Sequence, residues 1–262
     1  MYTITEQAVD KCCESCTHCN LHPINESKGK FSVLGVFKST NQRGRTVAEG
    51  IATAIHEHRL APGMKLNEDE VGEIYGVSRT IVRSALQSLS HEKLVEIEPN
   101  RGAFVARPTV REAREVFEAR ALLEPRTAHS AATRTNKTDI DLLKRHIDEE
   151  HAALDAKEVG RALRLSGNFH IEIARIANQA TIAAFIGQLV ARSSLIIALY
   201  WRRRNALCES HAHHALLDAL AQNEAERAEE LMTSHLVDLV SLLDLTEPPE
   251  EPTSLKEALG AE

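Results

Sequence analysis

The 262-residue sequence predicts a mainly α-helical protein, with an N-terminal winged helix-turn-helix, a small β-hairpin wing and a C-terminal all-α helical bundle. Three observations carry this. Residues 68–91 read as a helix, a glycine turn and a second helix. Two short β-rich runs flanking Pro99-Asn-Arg-Gly102 follow directly. From Thr109 to about Leu245 the apolar residues recur only at helical spacing, with no strand alternation and no glycine-rich phosphate loop.

The elements follow in order. Residues 46–60 predict a first helix with Val47, Ile51, Ala54, Ile55 and Leu60 on its buried stripe, ended by Pro62-Gly63. Glu68 to Tyr75 reads as a short helix with Val71 and Ile74 inward, and Gly76 permits the tight turn that ends it. Ser78 stands where the cap of the next helix belongs, ahead of an apolar face of Ile81, Ala85, Leu86 and Leu89. Arg79 and Arg83 are four apart on one face of that helix, the arrangement of a DNA-reading helix. Leu94–Ile97 and Ala103–Val105 predict the two strands of a wing with Arg101 at its tip. Pro108 marks the exit. Thr109–Thr133 follows as one long helix with Val116, Phe117, Leu122 and Leu123 inward and a kink expected at Pro125. Further helices are predicted over 139–154, 159–177, 181–201, 209–222 and 224–243.

Composition sets bounds on function. Hydrophobic residues at 43% and charged residues at 26% are globular values, and the length suits two domains. The expected division is a Cys-containing tail over 1–40, a winged helix-turn-helix over 41–107, a helical domain over 108–245 and an acidic tail over 246–262. No apolar run is read as approaching the roughly 20 residues of a membrane span. Glu6, Asp10 and several cysteines occupy the place of a signal-peptide core, so the expected compartment is the cytoplasm. The net charge of −7 argues against indiscriminate nucleic-acid binding. Residues 41–107 hold nine Lys/Arg and nine Asp/Glu, with Glu68, Asp69, Glu70 and Glu73 grouped on the first helix of the motif and the arginines later.

Several residues carry candidate chemistry. Ser166 and His170 are four apart on one helix face, His213 shares a face with Leu216, Leu217 and Leu220, and His235 lies between Leu231 and Leu239. All three histidines therefore point inward, whereas His211 and His214 are assigned to the surface. Three neutral imidazoles from three helices suit a zinc-type site, although each could equally be a separately satisfied core histidine. Arg120, one turn before Glu124, and Arg192, in an apolar helix, are read as inward arginines. Each would clamp a carboxylate or pair with a glutamate such as Glu124 or Glu172. Cys12, Cys13, Cys16 and Cys19 are close enough to ligate a metal but lack a second pair, and are read as part of a tail; Cys208 is read as packed.

The run Leu60, Pro62-Gly63, Leu66, Gly76-Val-Ser-Arg-Thr80, Val82-Arg83, Ala85-Leu86, Leu89, Leu94-Val95 and Arg101-Gly-Ala-Phe-Val105 resembles the winged helix of GntR-type transcription regulators. Gly167-Asn-Phe-His170, His213-His-Ala-Leu-Leu-Asp-Ala219 and Ala225-Glu-Arg-Ala228 leading to His235-Leu236 resemble the helical ligand-binding (FCD-type) domain of its FadR branch. The resemblance implies a homodimer on a palindromic double-stranded operator. Ser78, Arg79, Thr80 and Arg83 would lie at the major groove, and Arg101 and Gly102 at the minor groove. A basic residue sometimes found early in the first helix of the motif is here Asp69. The resemblance further implies a divalent metal, zinc first and nickel or manganese as alternatives, on His170, His213 and His235. Ser166 stands where the branch has an aspartate ligand. An acidic effector would sit at or beside the metal with Arg120, Ser166 or Arg192, releasing a repressor from DNA; no enzymatic activity is implied. A three-histidine zinc hydrolase and a redox or metal sensor using the N-terminal cysteines are the competing readings.

Overall fold

A computed structural model describes residues 42–201 and 210–246, so the expectations for Cys12, Cys13, Cys16, Cys19 and Cys208 and for the acidic tail lie outside the described residues. The elements are α1 (Gln42–His56), β1 (Lys65–Leu66), α2 (Glu68–Tyr75), α3 (Arg79–His91), β2 (Val95–Glu98), β3 (Gly102–Val105), α4 (Val110–Ala132), α5 (Lys137–Asp155), α6 (Val159–Ile176), α7 (Ala180–Tyr200), α8 (Ser210–Ala221) and α9 (Ala225–Ser241).

The winged helix is closed by one apolar core. α1 contributes Val47, Ala48, Ile51, Ala52 and Ile55, and ends earlier than the sequence suggests because the chain reverses through His58 in the left-handed region. α2 opens on Asn67, whose side chain accepts from the Asp69 N–H, and closes on Gly76 at φ 61°, ψ 40°. Its contact line is Val71 and Gly72, so Ile74, expected inward, is 70% exposed. On α3 the buried line runs through Val82, Ala85, Leu86 and Leu89. This is the i, i+3, i+4, i+7 stripe, and Val82 takes the core position expected of Ile81, which is half-buried.

β2 and β3 form the expected antiparallel hairpin, with Val95 opposite Val105 and Glu98 opposite Gly102. A third strand, β1, pairs on the far edge of β3, giving the order β1-β3-β2. Two residues are too short to show an alternation, so β1 was not legible. The turn uses Asn100 at φ 63° and Gly102 at φ 106°, and only glycine adopts the second value without strain.

Two of the bundle helices start on strong caps. Thr109 and Glu112 form a reciprocal capping box on α4, and Asn136 and Asp139 form another on α5. α4 runs through Pro125 without interruption of the helix. Leu122, expected inward, is 73% exposed, while Ala113, Val116 and Phe117 are buried. α7 also corrects the reading that no apolar run reaches membrane-spanning length: an 18-residue stretch of this 21-residue helix has a mean hydropathy of 1.9, which is enough by length and composition. It packs against α1, α4 and α6, and its Ala191 and Leu195 join the core of the winged helix.

The winged helix and the bundle therefore share packing. At their junction Arg164 pairs with Glu57 at 2.9 Å, His58 Nε2 lies 3.0 Å from the Ser194 carbonyl, and the Tyr200 hydroxyl donates to the Pro108 carbonyl at 2.9 Å. Gly160, in the first turn of α6, permits the approach: a Cβ there would lie 2.0 Å from the Glu57 carbonyl oxygen. Intrinsic helix propensity favours alanine over glycine by up to about 1 kcal/mol. Gly160→Ala should nevertheless destabilise the protein by ~1–3 kcal/mol, because the clash is with backbone. A lowered melting temperature would bear this out, and a raised one would show that the junction yields freely.

Candidate functional site

The three inward histidines converge. His170 on α6, His213 on α8 and His235 on α9 are all buried, and one ring nitrogen of each lies within 4.8 Å of the others. The Nε2 atoms of His170 and His235 are 3.1 Å apart. Two buried carboxylates orient the rings from outside: Glu124 accepts from His170 Nδ1 at 2.7 Å, and Glu150 from His213 Nδ1 at 3.1 Å. A proton held on Nδ1 leaves the Nε2 lone pair facing the centre. His213 Nε2 is buried and has no hydrogen-bond partner among the described residues. Three soft nitrogen donors, one of them orphaned, with carboxylates behind two, fit a divalent transition-metal ion of the zinc type.

The electrostatics match that donor set. Burial, with Arg120 and His213 adding to it, lowers the pKa of His170 below the usual histidine value against the opposing pull of Glu124. Burial also holds His235 well below its usual value, with His170 and His213 adding to the effect. These imidazoles are neutral at pH 7, the form that ligates. Burial alone would raise the pKa of Glu124, but Arg120 and His170 overcome it and bring it to about 2.

Neither orienting role was foreseen. Glu150 continues the buried stripe Leu143, Ile147 of α5 at helical spacing, and a glutamate on an apolar stripe is a signal that sequence alone could have offered. Glu124 was expected only as a partner for Arg120. That pairing is what the structure contains: Arg120 Nε to Glu124 Oε1 is 2.5 Å, both residues are 2% exposed, and Arg120 Nη1 donates to Ser193 Oγ at 3.0 Å. Arg120 is thus at the cluster, with its charge already matched.

Arg192 is not brought to this site. It is half-buried on the opposite side of α7, lining a separate groove with Glu92, Lys93, Ala119 and Phe185. Its place in the apolar helix gave no indication of which side it faced. Ser166 is half-buried and does line the cavity beside His170 and His235. That cavity, about 40 Å³, is also bounded by His56 and His58 from the end of α1, by Arg164, and by Ser193 and Ser194. His56 is buried with Nε2 lacking a hydrogen-bond partner among the described residues; burial first, then Arg164, lowers its pKa to about 4. The winged helix therefore forms one wall of the cavity next to the histidines.

The second functional face lies on α3 and the wing. Ser78, Arg79, Thr80, Arg83, Arg101 and Gly102 are all exposed. Ser78 caps α3 by its backbone geometry and makes no side-chain capping bond, which leaves its hydroxyl available. Arg79 Nη2 donates to Asp69 at 2.8 Å, and Arg83 Nε contacts both oxygens of Glu68 at 2.7 and 2.9 Å. Arg101 pairs with Glu98 and lies over the Phe104 ring, with Lys65 on the same ring.

Comparison with known proteins was consistent across sequence and structure. The sequence pattern described as bacterial regulatory proteins, gntR family, matches residues 43–105, and that of the FCD domain matches residues 115–238. An HTH-type transcriptional regulator from an unstable DNA locus of Streptomyces ambofaciens is 31% identical over 192 residues, covering 68% of this chain and 75% of the relative. The Uxu operon regulator of Haemophilus influenzae is 29% identical over 204 residues, covering 69% and 75%. The HTH-type transcriptional repressor RspR of Escherichia coli is 26% identical over 183 residues, covering 69% and 79%. Among solved structures, a GntR transcriptional regulator from Rhodococcus sp. RHA1 superposes with a TM-score of 0.67 at 27% identity, covering 77% of this chain and 97% of that one. Escherichia coli McbR/YncC shares the fold, with a TM-score of 0.69 at 19% identity over 77% and 96%.

The geometry makes Arg120 the support of the cluster. Arg120→Met would leave Glu124 ionised and buried without its cation, and should cost ~3–5 kcal/mol in denaturant unfolding at pH 7. Adding Glu124→Gln should recover part of that loss. A single substitution costing under about 1 kcal/mol would show that Glu124 is not ionised against Arg120.

Proposed function

Because the chain belongs to the gntR family of bacterial regulatory proteins, and is a DNA-binding transcription regulator, we propose that it is a repressor released from DNA by a small carboxylic acid bound beside a divalent metal in the helical bundle. It acts in the cytoplasm as a homodimer on a palindromic operator. The observation that carries this reading is the cavity walled on one side by His170 and His235 of the histidine cluster and on the other by His56 at the end of α1.

The metal reading rests on the donors. His170, His213 and His235 would hold the ion, zinc first and nickel or manganese as alternatives, with Ser166 adjacent as a weak oxygen donor in place of a carboxylate. When bound, the ion would supply positive charge and open coordination positions to a ligand oxygen. The charge balance favours an acid as that ligand. Glu124 is matched by Arg120, so among the described residues Glu150 is the carboxylate left against the cluster to oppose a doubly charged ion. A carboxylate completes the neutralisation. Arg120 then contributes a hydrogen-bond donor to the pocket wall rather than an uncompensated charge.

The release step follows from size. A cavity of about 40 Å³ has room for roughly three water molecules. A metabolite has to part its walls, in which His56 is the last residue of α1 and His58 lies in the turn just after it. An acid that binds the widened form better shifts the winged helix relative to the bundle. A homodimer must present its two reading helices about one DNA turn apart, roughly 34 Å, so such a shift weakens operator binding. The dimer face suggested by packing is on α4 and α7, where Leu122 and Phe185 are 73% and 53% exposed. That the relative RspR is named a repressor supports the sign of the response. The hydrolase alternative lacks support at the site, because the buried carboxylates nearest the cluster, Glu124 and Glu150, are each engaged by a histidine and unavailable as a general base.

Two outcomes are expected. Arg83→Ala should weaken operator binding by ~1–3 kcal/mol if its guanidinium reads a guanine, and should weaken all duplexes alike if it touches only phosphate. Unaltered binding would take Arg83 out of the interface. His213→Ala should abolish metal uptake and with it the melting-temperature gain that zinc gives the parent. Metal content of untagged protein after zinc addition is the measurement, and a parent that takes up less than about a tenth of an equivalent would refute the metal site.

A further inference from the structure

Glu68 and Asp69 occupy the first turn of α2, where carboxylates are favoured by the helix dipole. Each holds one arginine of the reading helix: Asp69 engages Arg79, and Glu68 engages Arg83 through both carboxylate oxygens. Asn67 fixes the start of α2 by accepting the Asp69 N–H, so the carboxylates are presented from an ordered helix end. All four side chains retain substantial solvent contact, so the pairs can exchange with an outside partner.

We propose that Glu68 and Asp69 set the selectivity of this protein for its operator by holding Arg79 and Arg83 back from DNA phosphates. A guanidinium paired with a carboxylate releases no counterion from a duplex, so two arginines are withheld from sequence-independent binding. A phosphate also takes a guanidinium through two oxygens, but transfer to it bares the carboxylate against the phosphates with no base contact to offset that repulsion, whereas a guanine edge adds a base-specific bidentate contact that does. Where the base is right, Arg79 and Arg83 transfer to it. Where the base is wrong, they remain on α2, and the acids face the phosphates as like charges. Both carboxylates are therefore positioning residues acting through the arginines, and they restrain a winged helix whose overall charge is balanced.

The test needs no knowledge of the operator. Full-length protein is titrated onto a labelled duplex of about 20 base pairs of arbitrary sequence, over about 50 to 200 mM salt. Asp69→Asn should bind it about threefold or more tightly at the low-salt end, and the slope of log affinity against log salt should steepen by about 0.9. Asp69→Glu should keep the parent behaviour. In an Arg79→Ala background Asp69→Asn should have no effect. The matching pair is Glu68→Gln, read with and without Arg83→Ala, and it carries the same test should the Asp69 variant fail to fold by melting. A smaller gain with an unchanged salt slope overturns the proposal. A gain that survives removal of the arginine also overturns it, because the acids would then act as simple repulsive charges.

Discussion

A carboxylate sealed inside a helical bundle must meet a positive charge or surrender its own, and Glu124 meets this condition in a way that organises the whole domain. Arg120, one turn earlier on α4, matches its charge, while His170 on α6 donates to its second oxygen. Arg120 in turn reaches Ser193 on α7. One buried residue thus ties three helices together and turns the His170 ring so that Nε2 faces His213 and His235. Glu150 repeats the device from α5 for His213. The histidine cluster is a consequence of these outer contacts as much as of the histidines themselves.

The same bundle cannot be separated cleanly from the winged helix. Ala191 and Leu195 of α7 belong to the winged-helix core, Gly160 admits the Glu57 carbonyl against α6, and Tyr200 grips the Pro108 carbonyl where the wing leads into α4. Close packing of this kind transmits displacement rather than absorbing it. A cavity bounded by His56 and His58 on one side and by α6 and α7 on the other therefore lies at the junction of the winged helix and the bundle. His56, buried and with its pKa lowered to about 4, is one of the residues that form this wall.

On the surface of α3 and the wing the governing term is local charge arrangement, not net charge. Residues 41–107 balance nine basic against nine acidic side chains, and the fold places specific members of the two sets in contact. The wing follows the same rule, with Arg101 held by Glu98 over the Phe104 ring. Exposed pairs of this sort contribute little to stability, commonly below about 1 kcal/mol, so their presence in three places on one face bears on binding more than on folding.

Much of this was determined by sequence alone, wherever information is local. The cap position of Ser78 and the turns at Gly76 and Gly102 follow from backbone chemistry, and helical periodicity placed His170, His213 and His235 inward from three different helices. What stayed hidden depends on which side of an element another element packs. Val82 rather than Ile81 enters the core, Ile74 and Leu122 face solvent, and Arg192 turns away from the cavity that receives Arg120; in each case the residue lies near the border of its helical stripe, where periodicity cannot choose. β1 is too short to carry a period. The pairing of Glu124 with His170 and of Glu150 with His213 spans 46 and 63 residues, and the wall that His56 lends to the bundle's cavity joins two domains. No spacing rule reaches that far. Local sequence decided which residues could serve, and the tertiary structure decided which of them meet, because only packing sets the distances over which hydrogen bonds and charges act.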